Sequence, residues 1–251
     1  MLRSEQTESI RQAIRRKTML FILTGVMQTG KTRWLERLIE RVRESDMPVY
    51  GVVAPGQWID HGADAPAGQR FEKLGIDNVL LPQNKRIAFA RRPDLVGKDR
   101  EGSNAGSGSK DALTRCSQSS QAKLGWAIDD AAIDQVNAHF CTLCAQAKDC
   151  MLPEDIKRAT GITVQAPAHP GLLVIDELGP LELLKNGGLT SAMDVLSQGP
   201  SPLCAHALIV VRESLCDTAA QRFGDCWGGA TAIYPNDAAC DQVLSCVCGS
   251  R

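Results

Sequence analysis

The chain has 251 residues, with 28 Lys and Arg against 29 Asp and Glu and a formal net charge of −1. So even a balance leaves no electrostatic footprint for nucleic acid or an anionic membrane, and the length suits one domain carrying insertions. Apolar content is 43%, enough to bury a core without staples, and no apolar run reaches the length of a membrane span.

The elements read as follows in chain order. Residues 4–17 form a polar, basic helix (Arg11, Arg15, Arg16, Lys17). Met19 to Thr24 is a short apolar run that reads as a buried strand. It is too short for a signal-peptide core and runs straight into a glycine loop, so a cytoplasmic chain is expected. Lys31 to Arg43 is an amphipathic helix, with Trp34, Leu35, Leu38, Ile39 and Val42 on one stripe. Val49 to Val53 is a second buried strand, which completes a strand–loop–helix–strand unit. Residues 54–68 read as loop. Residues 70–81 and 86–91 read as two strands joined by a turn at Pro82-Gln-Asn-Lys85.

The stretch 93–120 contains Gly102-Ser-Asn-Ala-Gly-Ser-Gly-Ser109 and reads as a flexible insertion. Ile128 to about Gln146 is helical, with Asp129 and Asp130 in the first turn. Residues 141–170 form a cysteine-containing insertion, irregular from 150 onward. Gly171 opens Leu172-Leu-Val-Ile-Asp176, a fully buried strand of the parallel-sheet kind. A short helix over 188–196, a strand over 207–211, a strand over 230–234 and a helix from Asp237 to about Val247 follow. The whole predicts a single α/β domain over 1–251.

Two segments carry chemistry. Gly25-Val26-Met27-Gln28-Thr29-Gly30-Lys31-Thr32 meets the pattern G-x-x-x-x-G-K-[ST]. Its glycines let backbone N–H groups turn inward around phosphates, and the following helix points its positive end at the same anion. Lys31 reaches the β- and γ-phosphates, and the Thr32 hydroxyl takes a magnesium coordination site. The second segment is Leu172-Leu-Val-Ile-Asp176-Glu177. Asp176 emerges at a strand's C-terminal end, where ligands sit in open α/β sheets, and suits magnesium. Glu177, directly after it, is the candidate to activate water, which leans the chemistry toward hydrolysis. Arg212, just past the strand 207–211, is either a charge stabiliser for the γ-phosphate or a surface arginine paired with Glu213.

These residues resemble the small P-loop nucleoside-triphosphatases of the thermophile and cancer-related type. The resemblance runs through Gly25 to Thr32, Tyr50-GVVAPG-Gln57, Lys73-LGID-Asn78, Gly125-WAIDDAAIDQVN-Ala138, Ile175-DELGPLEL-Leu184 and Leu208-IVVRESL-Leu215. The string from Asp176 through Glu182 is its most specific part. It implies a P-loop three-layer α/β/α sandwich of the ATPase-like (Asp-Glu) class, with a mostly parallel sheet, an added β-hairpin and irregular insertions. It also implies magnesium-dependent hydrolysis of ATP, GTP and other triphosphates with loose base selectivity. The chain departs from the family at 56–69, where an arginine-bearing loop is expected, and in both insertions.

Ten cysteines are many for a chain read as cytoplasmic, where thiols or metal ligands are expected rather than disulfides. Cys141 and Cys144 are spaced i, i+3 near the expected helix end, Cys150 follows, and Cys116 lies in the other insertion. Four such thiolates suit zinc or an iron–sulfur cluster; the alternative is a set of small, half-buried thiols. His139 on the same helix is either a substitute ligand or a solvated side chain. Trp58 either stacks on a base or packs.

Three functional classes follow: a triphosphate hydrolase, a nucleoside or nucleotide kinase (though no Arg-rich lid follows the arginines at 91–98), and a nucleotide-switched adaptor whose cysteines dock a partner or deliver a metal. The expected partner is a nucleoside triphosphate, with no nucleic acid, no membrane and no identified protein.

Overall fold

Leu20–Leu23 forms β1, with all four side chains buried. In the structure, a computed structural model, residues 18–26, 29–66, 70–95 and 126–249 are described. The expected basic helix over 4–17, Met27, Gln28, Cys116 and most of the 93–120 stretch lie outside those residues.

From β1 the chain enters α1 (Lys31–Glu44) through Gly30, whose φ of 80° is left-handed. The buried residues of α1 are the five read as its stripe. β2 (Val49–Val53) follows, then β3 (Gly56–Asp60), β4 (Phe71–Leu81) and β5 (Lys85–Arg91). β6 (Ala127–Ile128) leads into α2 (Asp130–Cys150) and α3 (Glu154–Thr160). After β7 (Gly171–Leu178) come α4 (Pro180–Lys185), α5 (Thr190–Gln198) and β8 (Cys204–Val211). α6 (Cys216–Phe223), β9 (Ala230–Ile233) and α7 (Asp237–Cys248) finish the fold.

One nine-stranded sheet runs β6-β5-β4-β2-β7-β8-β1-β9, with β3 also paired to β4. The five strands β2, β7, β8, β1 and β9 are mutually parallel. The expected hairpin is real, and with β3 and β6 it makes an antiparallel wing. Side chains alternate between the sheet's faces. Phe21 and Leu23 pack with Trp34, Leu38 and Val243 on one side. Leu20 and Ile22 belong to the other core, with Val136, Phe140, Leu196 and Phe223. Each such fully buried side chain contributes about 1.5–3 kcal/mol. Helices therefore cover both faces, and the three-layer α/β/α sandwich read from the sequence is the observed one.

The close pairing of β2 with β7 depends on Gly51. Its φ is +112°, and a Cβ there would stand 2.0 Å from the Val174 carbonyl oxygen. Only glycine permits that approach, and the approach sets the end of β2 beside the end of β7.

Four local expectations are corrected. Within 54–68, Gly56–Asp60 is a strand; its last three residues are exposed, so it lacks the alternation that marks a half-buried strand. The helix read as 128–146 runs to Cys150, because Leu143 and the half-buried Ala147 and Cys150 keep packing on the core past Gln146. The stretch 150–170 contains α3. The helix expected over 188–196 is α5, shifted to Thr190–Gln198, and α4, outside that expectation, precedes it across Asn186 (φ 52°) and Gly188 (φ 65°). α6 carries little apolar signal, burying only Ala219 and Phe223.

Candidate functional site

The loop Gly25–Thr32 caps the C-terminal end of β1. Gly25 and Gly30 both take positive φ, the conformation in which backbone N–H groups can face an anion. The Lys31 ammonium folds back over the loop and donates to the Gly25 and Val26 carbonyls at 2.9 and 2.8 Å. The Thr29 hydroxyl donates to Val26 O at 2.9 Å. Val26 is exposed.

Two strands away, Asp176 ends the buried run of β7. It is 3% exposed. Its Oδ2 accepts from the Ala54 N–H at 3.0 Å, and the Thr32 hydroxyl, on the same cavity wall, helps to hold its pKa down. Burial is the largest cause pushing its pKa up, to about 6, with Glu177 adding to it. Among the described residues it makes no ion pair. The structure thus brings Thr32 and Asp176, 144 positions apart in the sequence, to the wall of one cavity.

Glu177 is half exposed and pairs with Arg212, whose Nε lies 3.4 Å from Oε1. Arg212 follows β8, which lies between β1 and β7. The guanidinium is therefore partnered by Glu177 across the site and not by Glu213. The peptide bond between Asp176 and Glu177 is cis.

Glu182, which the sequence marks as part of a specific string, is a pin. Its buried carboxylate accepts from the Gly179 N–H at 2.9 Å and the Leu189 N–H at 3.3 Å. Burial raises its pKa. A Cβ at Gly188 would collide with its Oε1 at 2.0 Å, so the glycine makes room for it. The carboxylate fastens the turn after β7 and so fixes where Glu177 emerges.

A cavity of about 150 Å³ opens beside these groups, with Thr32, Asp176, Glu177 and Arg212 on its wall. Lys73, Asn78, Phe89 and Trp126 also line it. Lys73 lies over the Trp126 ring at 5.2 Å and the Trp58 ring at 5.9 Å, a cation–π sandwich. Burial lowers its pKa, while Glu177 and Asp176 oppose that. Trp58 thus packs on Lys73. A larger hollow of about 580 Å³, lined by Tyr50, Met151 and Trp227, contains none of these groups.

Sequence reasoning singled out neither Lys73 nor Asn78 for a role, and it missed Tyr234. This half-exposed ring follows β9 and stands beside Gly25, where a Cβ would meet it at 3.7 Å. Only proximity in the fold reveals all three.

Among the described residues, Cys141, Cys144 and Cys150 do not converge as one ligand set. Cys141 Sγ lies 3.4 Å from the Ser191 hydroxyl, and Cys144 Sγ accepts from the Gln198 amide at 3.4 Å. Cys150 ends the same helix, and about 13 Å of axis separates it from Cys141. Burial raises the Cys150 thiol. Among the described residues no group of three or more His, Cys, Asp and Glu converges to hold a metal. His139 is buried, not solvated.

No family model and no curated protein matches the chain. A solved structure does: the solution structure of a human cancer-related nucleoside triphosphatase, at 18% identity and a TM-score of 0.51. The match covers 93% of this chain and 99% of that one. The two share a fold. Among the described residues no helix is long and apolar enough to cross a membrane.

Proposed function

We propose that the chain is a magnesium-dependent nucleoside-triphosphate hydrolase, releasing nucleoside diphosphate and phosphate. The observation that carries this reading is the meeting of Thr32, from the end of the glycine loop, and the buried Asp176 on the wall of one cavity. A desolvated carboxylate with no ion-pair partner among the described residues is costly unless a cation joins it. One carboxylate and one hydroxyl are the hard oxygen donors that magnesium takes alongside substrate phosphates. Thr32 and Asp176 fit the ion, and when bound it neutralises the charge that develops on the phosphate oxygens.

The other steps belong to the chain's own groups. The loop N–H groups from Gly25 to Thr32 bind the phosphates. Lys31, now bridging loop carbonyls, supplies a cation to the β- and γ-phosphates. Glu177 orients the attacking water and takes its proton. Arg212, held beside Glu177 by their ion pair, stabilises charge on the transferring group. Tyr234 offers an aromatic face near Gly25 for the base. No Asn-Lys-x-Asp base-reading string is present, so ATP and GTP are both expected to serve.

The fold shared with a human nucleoside triphosphatase supports the reading at the level of the scaffold. The test is phosphate release from ATP and GTP with and without magnesium. Wild type should require the ion, and Lys31→Ala should lose roughly 10²–10³-fold in rate. Equal rates for the two proteins would remove the loop from the mechanism.

A further inference from the structure

Of the cations around the site, Lys31 donates to loop carbonyls and Arg212 pairs with Glu177. Lys73 does neither: among the described residues it forms no hydrogen bond and no ion pair. Aromatic faces hold it instead. On β4 it lies directly opposite Trp58 of β3, and the strand pairing slips between Gln57 and Trp58. Such a bulge re-aims side chains. Gly56 leaves the space: a Cβ there would stand 2.6 Å from Trp58 Nε1 and 2.8 Å from Lys73 Cε. Trp126, on the approach to β6, supplies the second ring. The ammonium lies 5.9 Å from the centre of the Trp58 ring and 5.2 Å from that of Trp126.

Rings place a cation without neutralising it. The half-buried ammonium has given up water and has met no anion in exchange, which leaves its charge poorly compensated. Burial works against that charge, while Glu177 and Asp176 favour it. Glu177 does not serve as its counter-ion, because its ion pair is with Arg212. Lys73 shares the cavity wall with Thr32, Asp176, Glu177 and Arg212. In the sheet order β4-β2-β7-β8, Lys73 and Arg212 come from opposite sides of β7. Two cations thus bracket the acidic end of β7, and only Arg212 is already paired.

We propose that Lys73 is a specificity-determining residue that takes the terminal phosphate of the substrate, so that the site tells a nucleoside triphosphate from the diphosphate it leaves behind. This deepens the hydrolase reading above and rests on it. The loop N–H groups hold phosphates that both nucleotides carry. The ammonium donates to an oxygen of the one that the diphosphate lacks, a charge-assisted hydrogen bond. Trp58 and Trp126 fix the ammonium in advance, so little side-chain freedom is lost when the phosphate arrives.

The test compares affinities of the full chain for β,γ-imido-ATP and ADP, each with magnesium, by titration calorimetry. Wild type should prefer the triphosphate analogue. Lys73→Met keeps an apolar stem between the rings and removes the charge. Its preference should shrink by about tenfold or more, with ADP affinity held within about threefold. Lys73→Arg restores the cation and should recover the preference. ADP binding reports in the same titration that each variant is folded, and Lys73→Gln carries the comparison if Lys73→Met does not bind ADP. An unchanged preference in the neutral variant overturns the proposal. So does slower phosphate release with the preference intact, which would put Lys73 to work on Glu177 and not on the substrate. A wild type that binds neither nucleotide overturns the hydrolase reading and this inference with it. A wild type that binds and hydrolyses triphosphate, beside a neutral variant that still discriminates, overturns this inference alone.

Discussion

The two sides of the β7 strand end are built from different materials. Toward α1 the site is largely main chain: the Gly25 and Gly30 turns, the N–H groups of the loop and the Ala54 N–H on Asp176. Toward α2 it is side chain, with Asn78, Phe89, Trp126 and Lys73 drawn from β4, β5 and the approach to β6. A site made of backbone requires glycine at fixed spacing, because only glycine takes those dihedrals cheaply. A site made of side chains from distant strands imposes no spacing. The first writes a motif and the second does not.

The largest expected effect is on the catalytic edge of this comparison. Glu177→Gln keeps shape and hydrogen-bonding capacity but loses the base. Phosphate release should fall by roughly 10²–10⁴-fold, with MgADP affinity changed only a few-fold. A rate within threefold of wild type would move water activation to another group. Arg212→Ala should lose roughly 10²-fold. Steady-state rates decide it, and a loss confined to KM would show that Arg212 binds substrate without stabilising transferring charge.

Asp176→Asn separates stability from activity. The carboxylate is buried, and burial is what pushes its pKa up to about 6. A neutral amide of the same shape removes that desolvation cost. The variant should therefore melt at a higher temperature without magnesium, by about 1–3 kcal/mol of added stability, and lose magnesium-dependent hydrolysis. Calorimetry showing a lower melting temperature would mean that the charge is compensated in the free protein.

The same contrast explains what was legible in the sequence. β1, α1, β2 and β7 are apolar or amphipathic runs, each flanked by glycine or proline, and they fold where their periodicity says. Asp176 and Glu177 are legible because a buried strand must deliver its next residues to the sheet edge. Glu182 stands out in the sequence, yet its work as a pin on Gly179 and Leu189 depends on a turn that only the fold forms. β3 escapes because it is exposed and owes its place to pairing with β4. The Cys141–Cys150 spacing does not reveal that one continuous helix spreads Cys141 and Cys150 along its axis. Asn78 and Lys73 are ordinary residues in an ordinary strand until α2 and the β7 turn close over them.

The smallest expected effect concerns histidines away from the site. His206, on β8, is buried, and burial lowers its pKa below the ordinary 6.5. The folded chain therefore resists protonating it, while the unfolded chain takes the proton near pH 6.5. Above that pH both states are neutral and the group contributes no pH dependence. As pH falls below 6.5 the unfolded state binds more protons, so stability falls with a slope of at most about 1.4 kcal/mol per pH unit. Raised carboxylates such as Asp176 and Glu182 push the other way, because the folded chain binds their protons first. The wild-type curve alone is thus a mixture, and the informative quantity is its difference from His206→Leu. Between pH 7 and 5, urea midpoints of wild type should drop relative to the variant. Parallel curves would mean that the folded chain protonates His206 as readily as the unfolded one does.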